Sequence, residues 1–132
     1  MSPTAQRISV IIPAKDQAPF IRDALASLER QVDDLRRLEV LVVDDGSSDG
    51  TGDLAARFHD RLPGLKIIRN ETPRGLATAR NQGLDASTGL HLAFLDGDDW
   101  LAPGHLASCS AGLEKLDVDF VRTDHVRVTG GN

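Results

Sequence analysis

The chain has very few aromatic side chains and a single cysteine. Of its 132 residues, none is tyrosine, one is tryptophan (Trp100) and four are phenylalanine. Because Cys109 is the only cysteine, a disulfide within the chain is excluded, which fits a reducing compartment.

An excess of basic residues is also lacking. Lys and Arg number 15 against 20 Asp and Glu, so the net charge is −5. Proteins that bind nucleic acid are usually basic, and we therefore expect no nucleic-acid partner. An acidic chain that binds a phosphorylated ligand needs a metal ion or local positive groups to offset the repulsion.

Long apolar runs are absent as well. The first run, Ile8–Ala14, is short, follows Arg7 and is interrupted by Pro13, so we expect neither a signal peptide nor a membrane-spanning segment. The length of 132 residues and the hydrophobic content of 40% are typical of one globular domain with a buried core. We therefore expect residues 1–132 to form a single domain.

Short apolar segments alternate with segments of helical periodicity. The predicted strands are Arg7–Ile12, Glu39–Val43, Leu65–Arg69, Leu90–Leu95 and a last extended segment, Asp119–Val128. The predicted helices are Ala18–Gln31 with Phe20 in its apolar stripe, a helix from Ser48 or Asp49 to His59, Gly75–Ala86 and Pro103–Lys115. The strands, Leu90–Leu95 included, read as the continuous apolar runs of buried strands, which predicts an α/β fold with a mostly parallel sheet and helices on both faces.

Carboxylates follow the ends of three predicted strands. They are Asp16 after the first strand, Asp44 and Asp45 after the second, and Asp96, Asp98 and Asp99 after the fourth. Because the carboxyl ends of parallel strands meet at one edge of a sheet, we expect these side chains to lie at that edge, where ligands bind. Three carboxylates within four positions repel each other, and a divalent cation with its preference for oxygen ligands would offset this repulsion. The stretch Leu90–Trp100 is thus a candidate metal–diphosphate site.

Simpler interpretations of these residues stay open. The segment Asp44–Gly50 is also typical of a polar turn with helix caps, and Asp96–Asp99 of a turn followed by a cap. We expect Trp100 to pack beneath that turn. Arg80 is either an ordinary surface charge or a partner for a diphosphate near a helix start.

Other phosphate-binding motifs do not fit. A dinucleotide-binding fold needs glycines directly after the first strand, and Pro13–Asp16 contains none. No P-loop motif occurs, and the twelfth position of an EF-hand-like loop would be Ala56 rather than Glu. The D-x-D pair of Asp96 and Asp98 also occurs in aspartate-based phosphotransferases, which place it on the first strand, so that class is kept as a weaker alternative.

Three segments together resemble the family 2 glycosyltransferases with the GT-A fold. They are ISVIIPAKDQ (Ile8–Gln17), EVLVVDDGSSDGT (Glu39–Thr51) and GLATARNQGLDASTGLHLAFLDGDDWLAP (Gly75–Pro103). Their order and spacing also match, and they cover nearly the whole chain up to Pro103. The chain departs from the family at Lys15–Asp16, where members more often carry an aromatic residue and Asn. The resemblance implies a Rossmann-like, nucleotide-binding half of a GT-A fold.

The resemblance implies a site for a nucleotide-diphosphate sugar. The backbone of Pro13 and Ala14 would contact the base or ribose, and Asp45, with Asp44 beside it, would contact the base. Asp96 would lie against the ribose, and Asp98 would hold a divalent cation, Mn²⁺ or Mg²⁺, on the diphosphate. The remaining candidates for nucleotide-sugar binding are Asp16, Gly75, Arg80 and Gly97.

The resemblance also implies inverting sugar transfer, with a UDP-sugar as the default donor and a glycan or another hydroxyl compound as the acceptor. A carboxylate base would remove the acceptor proton. In the family this base lies well downstream of the D-x-D pair, and only about thirty residues follow Asp98 here. We therefore assign no catalytic base and expect a donor-binding part that is cut short before the acceptor region.

Three further expectations accompany this interpretation. A non-catalytic nucleotide-sugar-binding module remains the alternative function. We expect a cytoplasmic location, including the inner face of the membrane, because nucleotide sugars are made there. A donor-binding part without its acceptor region would expose apolar surface, which predicts self-association that sedimentation can test.

Overall fold

The computed structural model describes residues 7–116, and for residues 114–116 it describes the backbone only. The elements are β1 (Ile8–Ala14), α1 (Ile21–Leu28), β2 (Leu38–Asp45), α2 (Thr51–Ala56), β3 (Leu65–Asn70), α3 (Leu76–Ala86), β4 (His91–Phe94) and α4 (His105–Leu116). A single 3-10 turn, Leu35–Arg37, precedes β2. The extended segment expected at Asp119–Val128 lies outside the described residues.

The four strands form one parallel sheet in the order β3-β2-β1-β4. This arrangement confirms the predicted α/β class. The chain moves outward from β1 to β2 and β3, and then returns to place β4 on the other side of β1. The strand order therefore reverses between β1 and β4, and ligands in such sheets bind beyond the carboxyl ends of the strands at this point.

Helices cover both faces of the sheet, as predicted. On one face, α1 shares an apolar core with β1 and β2, α2 packs on α1, β2 and β3, and Leu106 of α4 joins the same core. On the other face, α3 packs on β1 and β2, and Gly83 brings its backbone so close that an added Cβ would overlap the side chain of Ile11. No helix in residues 7–116 is long and apolar enough to cross a membrane.

The prediction that the fourth strand is buried is wrong. Leu92 and Phe94 of β4 are 46% and 50% exposed, and Leu90 just before the strand is 58% exposed. Within residues 7–116, β4 pairs with β1 alone, and α3 packs on β1 and β2 rather than over β4. The self-association expected from exposed apolar surface stays a prediction.

β1 continues through Pro13, where the sequence predicted its end. The N–H of Leu95 donates to the Ile11 carbonyl at 3.0 Å, so the backbone polar groups of Ile11, and by alternation those of Pro13, point toward β4. The pairing with β4 ends at Ile11, whereas the pairing with β2 extends to Ala14. Pro13 therefore lacks an N–H at a position where no ladder partner needs it.

α1 is shorter than predicted at both ends. The N–H groups of Phe20 and Ile21 both donate to the Gln17 carbonyl, so the chain turns before the helix begins. Phe20 lies in this turn and is 50% exposed rather than part of the apolar stripe. Gln31 lies beyond the last helical residue, Leu28, but its side chain is buried.

Candidate functional site

A cleft of about 360 Å³ opens at the carboxyl edge of the sheet, near the point where the strand order reverses. Clefts of this volume accommodate small molecules. Its walls are the end of β1 with the following loop, the end of β2, the start of α3 and the turn after β4. The lining residues are Pro13, Ala14, Lys15, Gln17, Asp45, Pro73, Gly75, Leu76, Ala79, Asp96, Gly97 and Asp98.

Most of the predicted site residues meet in this cleft. Seven of the ten line it, namely Pro13, Ala14, Asp45, Gly75, Asp96, Gly97 and Asp98. The remaining three, Asp16, Asp44 and Arg80, lie outside the lining.

Asp44 and Asp45 are neighbours in the chain but face opposite sides of the sheet. Alternate residues of a strand point to opposite faces, so Asp44 lies on the side of α2 and Asp45 on the side of α3. Asp44 accepts a hydrogen bond from the N–H of Ser47 at 3.1 Å. Of the two carboxylates, only Asp45 lines the cleft. The expected contact of Asp44 with a base has no support in this arrangement.

The carboxylate of Asp45 is almost completely buried and well supplied with hydrogen bonds. Its Oδ1 accepts from Asn70 Nδ2 at 2.9 Å and from the N–H of Arg74 at 2.8 Å, while its Oδ2 accepts from the N–H of Gly75 at 2.9 Å. Burial alone would raise the pKa of Asp45, but these hydrogen bonds and the charge of Lys15 outweigh it and lower the pKa. Asp45 is therefore an anion that holds the segment before α3 against the end of β2.

A pair of amide side chains supports Asp45 from behind. Asn70 at the end of β3 and Gln82 of α3 exchange two hydrogen bonds, each at 2.8 Å. This reciprocal pairing orients the Nδ2 of Asn70 toward Asp45. The Asp45 carboxylate at the end of β2 is thus held in place by Asn70 of β3 and, through Asn70, by Gln82 of α3.

Asp16 is not part of the cleft wall. It takes part in hydrogen bonds that join the loop after β1 to the loop after β2. Its Oδ1 accepts from the N–H of Ser48 at 2.8 Å, and its own N–H donates to Ser47 Oγ at 2.9 Å. The N–H of Ala18 donates to Asp49 Oδ2 at 3.0 Å. Asp16 has a φ of 54°, in the left-handed region that Asp tolerates better than most residues. Asp16 does not line the cleft, and its contact with the nucleotide sugar stays a prediction.

Three carboxylates lie together in the turn after β4, residues 96–99, which is called the acidic turn below. Oxygen atoms of Asp96, Asp98 and Asp99 all lie within 4.8 Å of one another, and all three side chains are exposed. The turn closes with a hydrogen bond of 3.0 Å from the N–H of Asp99 to the Asp96 carbonyl. An all-oxygen set of this kind fits Mg²⁺ or Mn²⁺.

Arg80 lies at the rim of the cleft. Its Nη2 is 3.8 Å from Asp96 Oδ1, and the two side chains are 44% and 56% exposed. An ion pair this exposed contributes little to stability. It does place a guanidinium beside the carboxylates, where it offsets part of their charge.

The sequence did not predict some of the residues that line the cleft. Lys15 stands where the resemblance leads one to expect an aromatic residue, and this departure was the available signal. Leu76 and Ala79 line the cleft because the first turns of α3 pass along it, which only the packing of α3 reveals.

The prediction that Trp100 packs beneath the acidic turn is wrong, because Trp100 is 55% exposed and Leu101 packs against the core instead.

The fold and the cleft define an α/β protein with an acidic ligand site at the edge of a parallel sheet. Comparison with known proteins identifies the class more closely, since residues 9–132 match glycosyl transferase family 2. The chain belongs to this family.

Similar proteins include enzymes from archaea and bacteria. The chain is 37% identical to glycosyltransferase AglE of Haloferax volcanii, over 91% of this chain and 42% of that protein. S. aureus TarS 1-349 in complex with UDP superposes with a TM-score of 0.77 and 31% identity, covering 83% of this chain and 32% of TarS 1-349. The mannosyltransferase PcManGT from Pyrobaculum calidifontis, in complex with GDP-Man and Mn²⁺, has a TM-score of 0.69 and 32% identity, covering 78% of this chain and 31% of PcManGT. The chain thus spans less than half the length of these relatives.

Proposed function

We propose that the chain is the donor-binding part of a glycosyltransferase that moves a sugar from a nucleoside diphosphate to a glycan or another hydroxyl acceptor. One observation carries this proposal: Asp45 on one side and Asp96 and Asp98 of the acidic turn on the other line a single cleft. The similarity to proteins whose structures contain UDP, UDP-GlcNAc, or GDP-Man with Mn²⁺ supports it.

The base is proposed to bind beside Asp45, with the backbone of Pro13, Ala14 and Gly75 along the nucleotide. An ionised carboxylate offers about four acceptor sites, and the fold uses three of them at Asp45. One acceptor site is therefore left for a base that presents an N–H, such as uracil. Guanine and thymine also present an N–H, so the choice of a UDP-sugar as the proposed default donor rests on the family resemblance.

The diphosphate is proposed to lie toward the acidic turn. Asp98 would hold Mn²⁺ or Mg²⁺, and Asp96 would lie against the ribose beside Gly97. Such an ion supplies Lewis-acid stabilisation of the charge that develops on the diphosphate leaving group. Arg80 is close enough to Asp96 to add a positive charge at the same rim.

The proposed reaction inverts the configuration at the anomeric carbon, with a carboxylate base that we assign to no residue of this chain. Within the described lining, the carboxylates are Asp45, Asp96 and Asp98, and this proposal gives each of them a role toward the nucleotide or the metal. This observation favours a second candidate function, a nucleotide-sugar-binding module without turnover. Transfer to a glycan acceptor by this chain would exclude it. The phosphotransferase alternative is not retained, because the chain belongs to a glycosyl transferase family.

Thermal unfolding with a panel of nucleotides tests the donor site. We would measure melting temperatures with UDP, GDP, CDP and dTDP, each with and without Mn²⁺, for the wild type and for Asp98→Ala. A ligand at a hundred times its Kd stabilises the folded state by about 2.7 kcal/mol, which raises the melting temperature by several degrees. We expect one nucleoside diphosphate to give this shift with Mn²⁺, and Asp98→Ala to abolish the Mn²⁺-dependent part.

Asp60→Ala is the matched control, because Asp60 is an exposed acid that follows α2 at the opposite edge of the sheet. It should keep the full shift. An equal shift in wild type and Asp98→Ala would rule out the metal role of Asp98. If none of the nucleotides shifts the wild type, the donor-site proposal itself is wrong for this chain.

A further inference from the structure

Two buried polar side chains hold the segment that directly follows the acidic turn. Ser27 of α1 accepts a hydrogen bond from the N–H of Leu101 through its Oγ at 3.1 Å. Gln31, just beyond α1, donates from Nε2 to the Ala102 carbonyl at 2.8 Å and accepts from the N–H of Leu106 at its Oε1 at 2.9 Å. The chain is thus held from the residue after Trp100 to the first turn of α4.

Gln31 is buried with all of its polar groups in use. Its side chain is 1% exposed, and its Nε2 also donates to the Ser27 carbonyl at 2.9 Å. A buried amide costs free energy unless every donor and acceptor is paired, and an apolar side chain of the same size would fill this space without that cost. What the amide adds over an apolar residue is a defined geometry for the backbone that it contacts.

The acidic turn is also anchored on its other side. The N–H of Leu95 donates to the Ile11 carbonyl at 3.0 Å, which ties the start of the turn to β1. An added Cβ at Gly97 would lie 3.1 Å from Ala14 Cβ, so the turn rests closely on the end of the same strand. β1 therefore holds the upstream side, and Ser27 with Gln31 holds the downstream side.

This double anchoring bears on the carboxylates between the two anchors. Asp96, Asp98 and Asp99 are exposed and repel one another, yet their oxygens lie within 4.8 Å. Asp98 precedes Leu101 by only three residues. A metal site needs its ligands held closely in place by the surrounding structure, and groups that orient the ligands affect metal affinity strongly.

We propose that Gln31, together with Ser27, is a positioning residue for the divalent-cation site, which it serves by fixing the backbone after the acidic turn. The identity of the bound ion rests on the function proposed above. The ordering of the downstream side of the turn does not, because it follows from the hydrogen bonds of Gln31 and Ser27 whatever ion binds.

Trp100 reports on the turn directly. It is the only tryptophan of a chain without tyrosine, so the fluorescence excited near 295 nm comes from Trp100 at the end of the acidic turn. We would compare its anisotropy in the wild type, in Gln31→Met, which removes the amide at similar volume, and in Ser27→Ala, which removes the acceptor for Leu101. Both variants should lower the anisotropy, because the turn gains mobility when its downstream anchor is lost.

The second readout is the affinity for Mn²⁺ in the presence of the nucleoside diphosphate, measured by calorimetry. Removing groups that orient metal ligands typically weakens metal binding by about 10–100-fold, and we expect a loss of this order in Gln31→Met. The affinity for the nucleotide without metal should be unchanged, since the Asp45 side of the cleft is untouched. A role in stability alone would not separate these two affinities.

Glu39→Gln is the matched control, because Glu39 is also a fully buried polar residue, but its hydrogen bonds lie at the opposite edge of the sheet. The proposal is overturned if Gln31→Met and Ser27→Ala keep the wild-type anisotropy and Mn²⁺ affinity, or if Glu39→Gln loses them equally. If Gln31→Met does not fold, Ser27→Ala carries the same comparison. If the wild type binds no nucleoside diphosphate with Mn²⁺, the proposed function fails, and the Trp100 anisotropy by itself then decides whether Gln31 and Ser27 position the turn.

Discussion

At the scale of single residues, Asp45 connects the stability of the fold to the proposed site. Asp45 is the last residue of β2. Its carboxylate accepts hydrogen bonds from the segment before α3 and forms part of the cleft wall. A neutral amide of the same shape cannot replace it, because one of the two oxygens would become an N–H donor that faces other donors. The same group therefore shapes the cleft and is available to a ligand in it.

We expect Asp45→Asn to lower the free energy of unfolding by about 1–3 kcal/mol, the usual penalty for a buried hydrogen-bonding group left unpaired. The same variant should bind the nucleoside diphosphate more weakly, because the segment at Gly75 loses its anchor. Urea denaturation measures the first effect and calorimetry the second. Asp53→Asn serves as the control, since Asp53 is 76% exposed and its ion pair with Arg69 should contribute little. An Asp45→Asn variant as stable as Asp53→Asn would contradict this role.

At the scale of secondary structure elements, the packing of α3 on the sheet determines one wall of the cleft. α3 crosses β1 and β2 with Gly83 against Ile11, and its first turn brings Leu76 and Ala79 to the ligand site. Glycine inside a helix is unfavourable by roughly 1 kcal/mol relative to alanine, so a close approach of backbone to strand is the physical reason for it here.

Gly83→Ala should therefore destabilise the protein in spite of its better helix propensity. Overpacking of a close-packed contact typically costs about 1–3 kcal/mol, which exceeds the propensity gain, and the Ile11 side chain is fully buried with little room to move. Urea denaturation of Gly83→Ala and of Thr78→Ala, an exposed position on the same helix, provides the comparison. Thr78→Ala should be neutral or slightly stabilising. A Gly83→Ala variant that is more stable than the wild type would show that α3 can shift away from β1 at no cost.

At the scale of the whole molecule, a buried carboxylate joins distant parts of the chain at the amino edge of the sheet. Glu39 at the start of β2 accepts from Ser9 Oγ at 2.7 Å, from the N–H of Thr88 at 2.8 Å and from Lys66 Nζ at 2.9 Å. Burial by itself would raise the pKa of Glu39, but the hydrogen bonds outweigh it and lower the pKa from 4.5 to about 2. Three strands and the loop before β4 thus depend on one ionised group.

Stability should consequently fall with acidification. The pKa of Glu39 is lower in the folded than in the unfolded protein, so its contribution is fully present above the unfolded value of 4.5 and is lost as the pH falls toward about 2. A difference of this size corresponds to about 3 kcal/mol. Urea denaturation between pH 6 and pH 2 should show a shallower decline for Glu39→Gln than for the wild type, from a lower starting stability. Glu71→Gln, at an exposed position, should keep the wild-type decline. Equal slopes for the wild type and Glu39→Gln would refute the assignment.

The parts of the fold that were predicted correctly are those where local pattern and burial agree. β1 and β2 are buried on both faces, and a strand of this kind has a continuous apolar sequence. β4 has the same apolar composition but lies half exposed, because composition does not reveal whether a helix covers a strand. Phe20 and Trp100 were misplaced for a related reason, since their burial depends on neighbours that are distant in the sequence.

The sequence by itself determined the order of strands and helices, the family, and the gathering of carboxylates at the carboxyl ends of the strands. These properties depend on residue type and spacing, which can be read locally. Only the tertiary structure decided that Asp45 rather than Asp44 faces the cleft, because that choice depends on which side of the sheet α3 occupies. It alone brought Gln31 beneath Leu101 and Ala102, 70 and 71 residues further along the chain. Contacts of this range arise when helices dock on the sheet, and neither hydrophobic period nor helix propensity specifies that docking.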